Sequence, residues 1–340
     1  MTYPLEPPIE PMLAKLRDGI PEGIEWRYEP KWDGFRALVF KDGNDIFIQS
    51  RKLRPLNRYF PELEPQLIKS LPKRCVIDGE IVIAGPKGLD FEALLLRIHP
   101  AKSRVDMLAA EIPAHFVAFD VLAEGKDILM QARLDDRRKR LEKCVDQESK
   151  TLLTPHTSDV AEARRWFDQF EGAGLDGVVA KLFDQHYLPG ERVMAKIKHL
   201  RTADCIVGGF RMAKTGDGVG SLLLGLYRDE TLHYVGHTSS FKAAERRDLL
   251  KQFEPMRDKE SFGMGRTPGG PSRWANEAQT AWVSMEPTLV CEVNFDHLQG
   301  ERFRHAARFL RWRPDKAPKD CTFEQLEPPK PFSLEKIRAL

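Results

Sequence analysis

Lys31 lies in the string Glu29-Pro30-Lys31-Trp32-Asp33-Gly34-Phe35-Arg36, directly before an apolar run. A lysine, an acid, a glycine and an arginine this close together suit a tight turn that gathers two cations and a carboxylate at one place; they also suit a plain polar hairpin. Lys196-Ile197-Lys198 repeats the theme. In a strand, alternate side chains share a face, so Lys196 and Lys198 point together and Ile197 points into the core. Two adjacent lysines repel, and phosphate is the obvious anion to relieve them, although lysines also protect exposed edge strands. Asp78-Gly79-Glu80 and Leu175-Asp176-Gly177-Val178-Val179-Ala180-Lys181 supply carboxylates beside strands. Carboxylates near lysine clusters fit Mg²⁺, which takes one or two of them plus substrate phosphates, while Asp-Gly is also ordinary turn chemistry. Two further strings are Ser50-Arg51-Lys52-Leu53-Arg54-Pro55-Leu56-Asn57 and Arg311-Trp312-Arg313-Pro314-Asp315-Lys316. The latter lies in a stretch, Glu301 to Lys316, whose net charge is +4, against +2 for the whole chain. Such a patch fits a polyphosphate or a nucleic-acid backbone, or a solvated basic face.

Nucleotide loops built on glycine are missing. In Gly216-Asp217-Gly218-Val219-Gly220-Ser221 the last glycine of a dinucleotide fingerprint is replaced by Ser221, and no GxxxxGK[ST] string occurs. A hairpin turn is the expectation there, and a bound nucleotide would be held by side chains.

The elements that must position these residues read as α+β. Pro4, Pro7, Pro8 and Pro11 make residues 1–13 an extended lead-in. Strands are expected at Arg36–Phe40 and Asp45–Gln49 around an Asp42-Gly43-Asn44 turn, and at Cys75–Ile77 and Ile81–Ala84 around an Asp78-Gly79-Glu80 insert. Phe116–Val121, Gly177–Lys181 and Val193–Lys198 read as further strands. Leu134–Cys144 and Asp159–Phe170 read as helices, with Asp159 as an N-cap. Beyond Arg201 the texture changes to short strands (Ala203–Phe210, Leu222–Tyr227, Thr231–Val235, Pro287–Phe295), a helix over Phe241–Phe253 and a Gly/Pro loop over Gly263–Pro271. That pattern suggests a small barrel of the OB type. The expected domains are therefore 1–200 and 201–340.

At 340 residues, with 41% hydrophobic and 31% charged residues, the chain suits two soluble domains. No apolar run approaches a membrane span, and the proline-rich, acidic start is unlike a signal peptide. Five scattered cysteines without a CxxC pair argue against structural zinc and for free thiols in a reducing cytoplasm.

Taken together, the order and spacing of these strings resemble the covalent nucleotidyltransferase superfamily of ATP-dependent DNA ligases, RNA ligases and mRNA capping enzymes. Lys31–Arg36 is similar to motif I, Ser50–Asn57 to motif Ia, Phe119-Asp120-Val121-Leu122 to motif III, Leu175–Lys181 to motif IV, Ala195–Lys198 to motif V and Arg311–Lys316 to motif VI. The arginine-rich Arg133–Leu141 resembles the helix after motif III. The motif Ia and VI forms, with Phe91–Arg97 and Leu289–Val293, most resemble small bacterial DNA ligases: the stand-alone mycobacterial C type and the ligase module of bacterial end-joining ligases. The resemblance implies a nucleotidyltransferase (adenylation) domain with ATP-grasp-like antiparallel sheets and helices, followed by an OB-fold β-barrel domain carrying motif VI. Motif IV usually begins with glutamate, and Asp176 is one methylene shorter, so a water can intervene between it and a metal.

The implied reaction is nick sealing in DNA repair through an AMP–lysine intermediate on Lys31, using ATP and Mg²⁺ or Mn²⁺. A free lysine has a pKa of about 10.4, so the nucleophile must be made neutral. Arg36, Lys196, Lys198 and a metal favour that form and also hold the triphosphate. The resemblance places Glu29 beside the adenine and Phe119 stacked on it. It puts Arg36, Arg51 and Glu80 at ribose and phosphates, Lys196 and Lys198 on phosphate, and Glu80 and Asp176 at the metal. Asp33, Asp78 and Asp315 are supporting carboxylates, and Arg313 and Lys316 orient the leaving pyrophosphate. The implied partners are nicked double-stranded DNA and a repair polymerase or end-binding protein, in the bacterial cytoplasm and at the nucleoid when on DNA, with no membrane. Motif I lies so near the start that no preceding DNA-binding domain is expected, which predicts weak, salt-sensitive nick affinity. The alternatives are an RNA ligase or capping-type relative, and a non-catalytic OB-type nucleic-acid-binding protein.

Overall fold

A computed structural model describes residues 3–86, 88–145, 151–199, 201–213, 215–257, 259–262, 281–296, 298–326, 332 and 337. The Gly263–Pro271 loop lies outside them. The chain forms two compact units, Met1–His199 with Pro329–Leu340, and Leu200–Pro328. The C-terminal residues, expected with the second domain, thus join the first. Phe332 donates its N–H to Gly172 O at 3.2 Å and packs its ring on Phe170, and Ile337 is fully buried in the same apolar cluster. Phe332 and Ile337 of the C-terminal segment find apolar cover there.

The first unit is built on two sheets. One has the order Asp45–Ser50, Phe35–Asp42, Arg74–Gly85, Ala114–Glu124, Asp127–Ile128, with Gly88–Leu89 and Leu152–Leu153 attached at its side. The other runs Leu13–Leu16, Arg192–Ile197, Val178–Leu182, Trp26–Pro30. The helix Leu63–Ser70 buries Leu63 and Leu67 in the same cluster as Val39, Ile48 and Ile77 of the larger sheet. The helix Val160–Phe170 buries Ala163, Trp166 and Phe170 with Tyr28, Val178 and Ala180 of the smaller one. Asp159 caps that helix, accepting from the Ala161 N–H.

Asp78-Gly79-Glu80 is no insert. It lies within one twelve-residue strand, Arg74–Gly85, whose register against Ala114–Glu124 shifts between Asp78 and Gly79. The glycine serves close approach rather than a turn: a Cβ on Gly79 would lie 2.3 Å from the Phe116 ring and 2.5 Å from Val117 O.

Lys41 is buried on the strand Phe35–Asp42, and its ammonium donates to Leu67 O, Ile68 O and Leu71 O at 3.1, 2.6 and 2.7 Å. Leu67 O also accepts the capping Leu71 N–H at 3.2 Å, so the ammonium chiefly serves Ile68 O and Leu71 O, at and just past the end of the helix Leu63–Ser70. Lys41→Met is expected to cost about 2–3 kcal/mol by removing the donor from Ile68 O and Leu71 O. Urea unfolding will show the midpoint fall; an unchanged midpoint would mean that water replaces the ammonium.

In the second unit, strands pair antiparallel in the order Thr231–Thr238, Val219–Arg228, Arg201–Met212, Val290–Phe295, Arg308–Trp312. The outer strands also meet: Ala307 N–H donates to His237 O at 2.9 Å and Phe309 N–H to Thr238 Oγ1 at 3.1 Å. This closes the sheet into the expected OB-type barrel. The glycine-rich Gly216–Gly220 stretch makes the hairpin turn, with Gly216 at φ +77°. Among the described residues, no helix is long and apolar enough to cross a membrane.

Candidate active site

Lys31 follows the strand Trp26–Pro30 and is clasped by backbone bonds on both sides. Its N–H donates to Gly177 O at 2.8 Å, and the Asp176 N–H donates to Lys31 O at 2.9 Å. Gly177 adopts φ +118°, and a Cβ there would lie 2.0 Å from Ile197 O, so the clasp demands glycine. The buried Asp176 carboxylate accepts from both Lys31 Nζ and Lys198 Nζ, the latter at 2.8 Å. Register puts Lys196 opposite Val179, and Val179 opposite Glu29, so these three side chains share one face of the smaller sheet. Burial and the charges of Lys198, Lys31 and Arg51 hold the Lys196 amine below the usual lysine range. Lys31 and Lys198 therefore meet at one carboxylate, and Lys196 lies within reach of their charges.

The larger sheet supplies a second group. Arg36 and Glu80 are strand partners. Arg36 donates through Nε and Nη2 to the fully buried Asp78 carboxylate, both at 2.6 Å. Tyr187 also donates to Asp78, at 2.6 Å, and accepts from Met12 N–H at 3.1 Å. Arg36 Cζ lies 4.4 Å from the Phe119 ring centre and Lys181 Nζ 5.1 Å. Lys181 in turn donates to Glu29 Oε2 at 2.7 Å in a buried pair. Glu29 Oε1 is buried and without a hydrogen-bond partner. Such an orphan acceptor costs free energy unless a ligand donor meets it.

Burial pushes the Glu80 carboxyl up to about 7, against the pull of Arg36 and Lys31, while Asp33 and Asp78 add to the rise. Behind Phe119, Asp120 accepts from Arg137 Nε and Nη2 at 2.7 and 2.9 Å. Burial acts to raise the Asp120 pKa, and the Arg137 charge and hydrogen bonds overcome it, so the group stays ionised.

In the second unit, Arg313 Nη1 bonds Asp204 at 2.9 and 3.1 Å, and Arg313 Nη2 bonds Asp315 at 2.8 Å. The Lys316 N–H donates to Arg313 O at 3.2 Å, so motif VI forms its own cluster. Arg311 pairs with Glu292 at 2.7 Å.

Of the residues singled out in the sequence, Lys31, Asp176, Lys196 and Lys198 are joined by contact or by mutual charge, with Arg51 acting on Lys196. Arg36, Asp78, Glu80 and Phe119 form the neighbouring group, linked through Lys181 to Glu29. The partners Lys181, Tyr187, Asp120, Arg137 and Asp204 were not singled out as site residues. Lys181 and Asp120 stand inside quoted strings, but nothing in the order of residues marks Tyr187 or Asp204.

The fit to a divalent cation rests on donor chemistry. Glu80 and Asp176 offer the oxygen ligands that Mg²⁺ or Mn²⁺ prefer. Among the described residues no group of three or more candidate ligand side chains gathers, so such an ion would take its remaining ligands from phosphates and water.

A family model described as "ATP dependent DNA ligase domain" matches residues 11–198, and another, "ATP dependent DNA ligase C terminal region", matches residues 215–316. The chain is 49% identical to DNA ligase C1 of Mycolicibacterium smegmatis over 98% of each chain. It is 48% identical to DNA ligase C of Mycobacterium tuberculosis over 99% of each. It is 29% identical to the multifunctional non-homologous end joining DNA repair protein LigD of M. tuberculosis, over 93% of this chain and 40% of that one. A solved structure from work on Lig E DNA ligases matches at TM-score 0.57 and 19% identity over 89% of this chain and 99% of that one, a likeness of fold. With both family models in chain order and near-half identity over full length, the chain belongs to the ATP-dependent DNA ligases.

Proposed function

We propose that this ligase seals nicks in double-stranded DNA, with Lys31 as the nucleophile. The observation that carries the assignment is the Lys31 amine held against Asp176 beside Lys196 and Lys198. The Lys31 amine attacks the α-phosphorus of ATP; the N–P bond forms, the bond to pyrophosphate breaks, and the amine proton leaves. An oxygen of the 5′-phosphate at the nick next attacks that phosphorus, which frees Lys31 and leaves AMP on the DNA. The 3′-hydroxyl then attacks the 5′-phosphate, the strand closes and AMP departs.

Lys196 and Lys198 hold phosphate, and Arg36 and Arg51 hold ribose and phosphates, with Asp78 fixing Arg36. Phe119 stacks on adenine. Arg313 and Lys316, steadied by Asp315, orient the leaving pyrophosphate. Glu80 and Asp176 hold Mg²⁺ or Mn²⁺, which when bound neutralises charge on the phosphates. Asp33 supports the Glu80 side of the site.

The LigD likeness favours a place in DNA repair, alongside a repair polymerase or end-binding protein. The fold and relatives fit a soluble cytoplasmic enzyme. The experiment is to incubate the protein with α-labelled ATP and divalent metal, and then chase with nicked DNA and nicked RNA duplexes. Label on the chain that moves to DNA during sealing supports the reading. A chase onto RNA alone makes the protein an RNA ligase, and no label in protein first stripped with pyrophosphate refutes the reading.

The orphan Glu29 Oε1 suits the exocyclic amine of adenine, and the guanine O6 acceptor would meet a like-polarity group there. Glu29→Ala is therefore expected to raise KM for ATP by about 10–100-fold, the worth of one charged hydrogen bond, and to narrow the preference over GTP. Labelling with α-labelled ATP and GTP measures both; an unchanged KM and preference would remove Glu29 from the base pocket.

A further inference from the structure

The turn carrying Arg51 holds a side chain that neither the core nor the nucleotide chemistry uses. Leu53 has φ +62°, in the left-handed region that disfavours a residue with a side chain, and it is 37% exposed. The turn is tightly closed: Leu53 N–H donates to Ser50 O at 2.9 Å, Ser50 N–H to Arg54 O at 2.8 Å, and Arg54 N–H to Ser50 Oγ at 3.0 Å. Anchorage to the core comes from Leu56, which is buried and donates its N–H to Ile48 O at 2.8 Å. Leu53 therefore leaves about a third of its surface in solvent at a strained turn, outside the buried apolar clusters.

Its neighbours indicate the partner. Arg51, Lys52 and Arg54 are all exposed, and no acid occurs between Ser50 and Asn57. Ser50, where the turn begins, pairs with Ala37 next to Arg36, so the turn leaves the sheet beside the candidate site. A surface that pairs three exposed cations with one partly exposed apolar side chain fits a polyanion with apolar edges. A nucleic-acid duplex is one: phosphates border a minor groove lined by sugars, and apolar side chains enter such grooves while cations take the flanking phosphates. Free nucleotide offers no comparable edge at an exposed tip.

We infer that Leu53 is a duplex-docking residue, which rests its side chain on the sugar edges of the minor groove beside the nick while Lys52 and Arg54 engage phosphates. The inference builds on the ligase reading and adds an apolar contact that acts after lysyl-AMP has formed.

Leu53→Gly and Leu53→Asn test it in the full chain. Both replacements accept a positive φ, so the turn is kept and its strain eased. Lysyl-AMP formation without DNA is expected to match wild type. The Kd of the AMP-loaded enzyme for a fluorescent nicked DNA duplex is expected to rise about five- to tenfold, the worth of partly burying one leucine. Single-turnover sealing at subsaturating enzyme should slow in proportion. The salt slope of binding should not change, because no phosphate contact is lost, whereas Arg54→Ala should lower it. A Leu53→Gly enzyme that folds normally and binds and seals within about twofold of wild type overturns the inference alone. A wild type that forms no lysyl-AMP overturns the ligase reading beneath it.

Discussion

Lys31→Arg is expected to abolish lysyl-AMP formation, with the rate from ATP falling about four orders of magnitude or more, as for loss of other covalent nucleophiles. Arginine keeps the positive charge and can still reach Asp176, but a guanidinium does not give up its proton to attack phosphorus. The substitution therefore separates charge from nucleophilicity. The backbone clasp is untouched, since it uses Lys31 N–H and O with Gly177 O and Asp176 N–H, so folding should be preserved and verifiable by unfolding midpoint. In the proposed mechanism Lys31 serves only to make and pass on AMP, so a nick already carrying AMP on its 5′-phosphate should still be sealed by the variant. Loss of labelling together with survival of that last step is the expected pattern. Normal labelling in Lys31→Arg would move the nucleophile elsewhere, and loss of all three steps would mean that Lys31 also holds the nick.

The grouping of this site was legible in the sequence where it depends on residue type within short strings. Lys31, Arg36, Lys196 and Lys198 stand out as closely spaced cations, although a polar hairpin or a lysine-protected edge strand would give the same strings. What the order of residues does not encode is which acid meets which base. Asp176 serves Lys31 at 145 positions' separation, and Tyr187 reaches Asp78 across 109. Such pairings follow from sheet register, which is settled by burial over whole strands rather than locally. Asp78-Gly79-Glu80 shows the local signal misleading: an Asp-Gly pair is turn chemistry in isolation, yet here glycine lets Phe116 close onto a continuous strand. Phe332 and Ile337 show the same limit at the scale of domains, because an apolar residue says that it will be covered and not by what.

Asp176→Asn should separate the two uses of the buried carboxylate between Lys31 and Lys198. The amide remains an acceptor of nearly the same shape, so the turn at Gly177 and the clasp survive. What disappears is the negative charge that steadies two ammonium groups and offers an oxygen to a divalent ion. Substrate phosphates can replace that charge for Lys198 once ATP arrives, so KM for ATP is expected to change little. The attacking geometry at Lys31 and the charge balance in the transition state have no substitute, so the rate of lysyl-AMP formation is expected to fall about 10²–10³-fold, the usual scale for losing one preorganised electrostatic group. Asp176→Glu keeps the charge one methylene further out. If a metal ligand is what the position supplies, the glutamate variant should retain labelling to within about tenfold while the asparagine variant requires much more Mg²⁺ or Mn²⁺. If both variants lose activity equally and neither responds to metal, the contact with the two lysines is the role of Asp176, and the metal must be held by Glu80 and the phosphates. Rapid-quench labelling across a metal titration distinguishes these results, because it reads the first chemical step before any DNA is present.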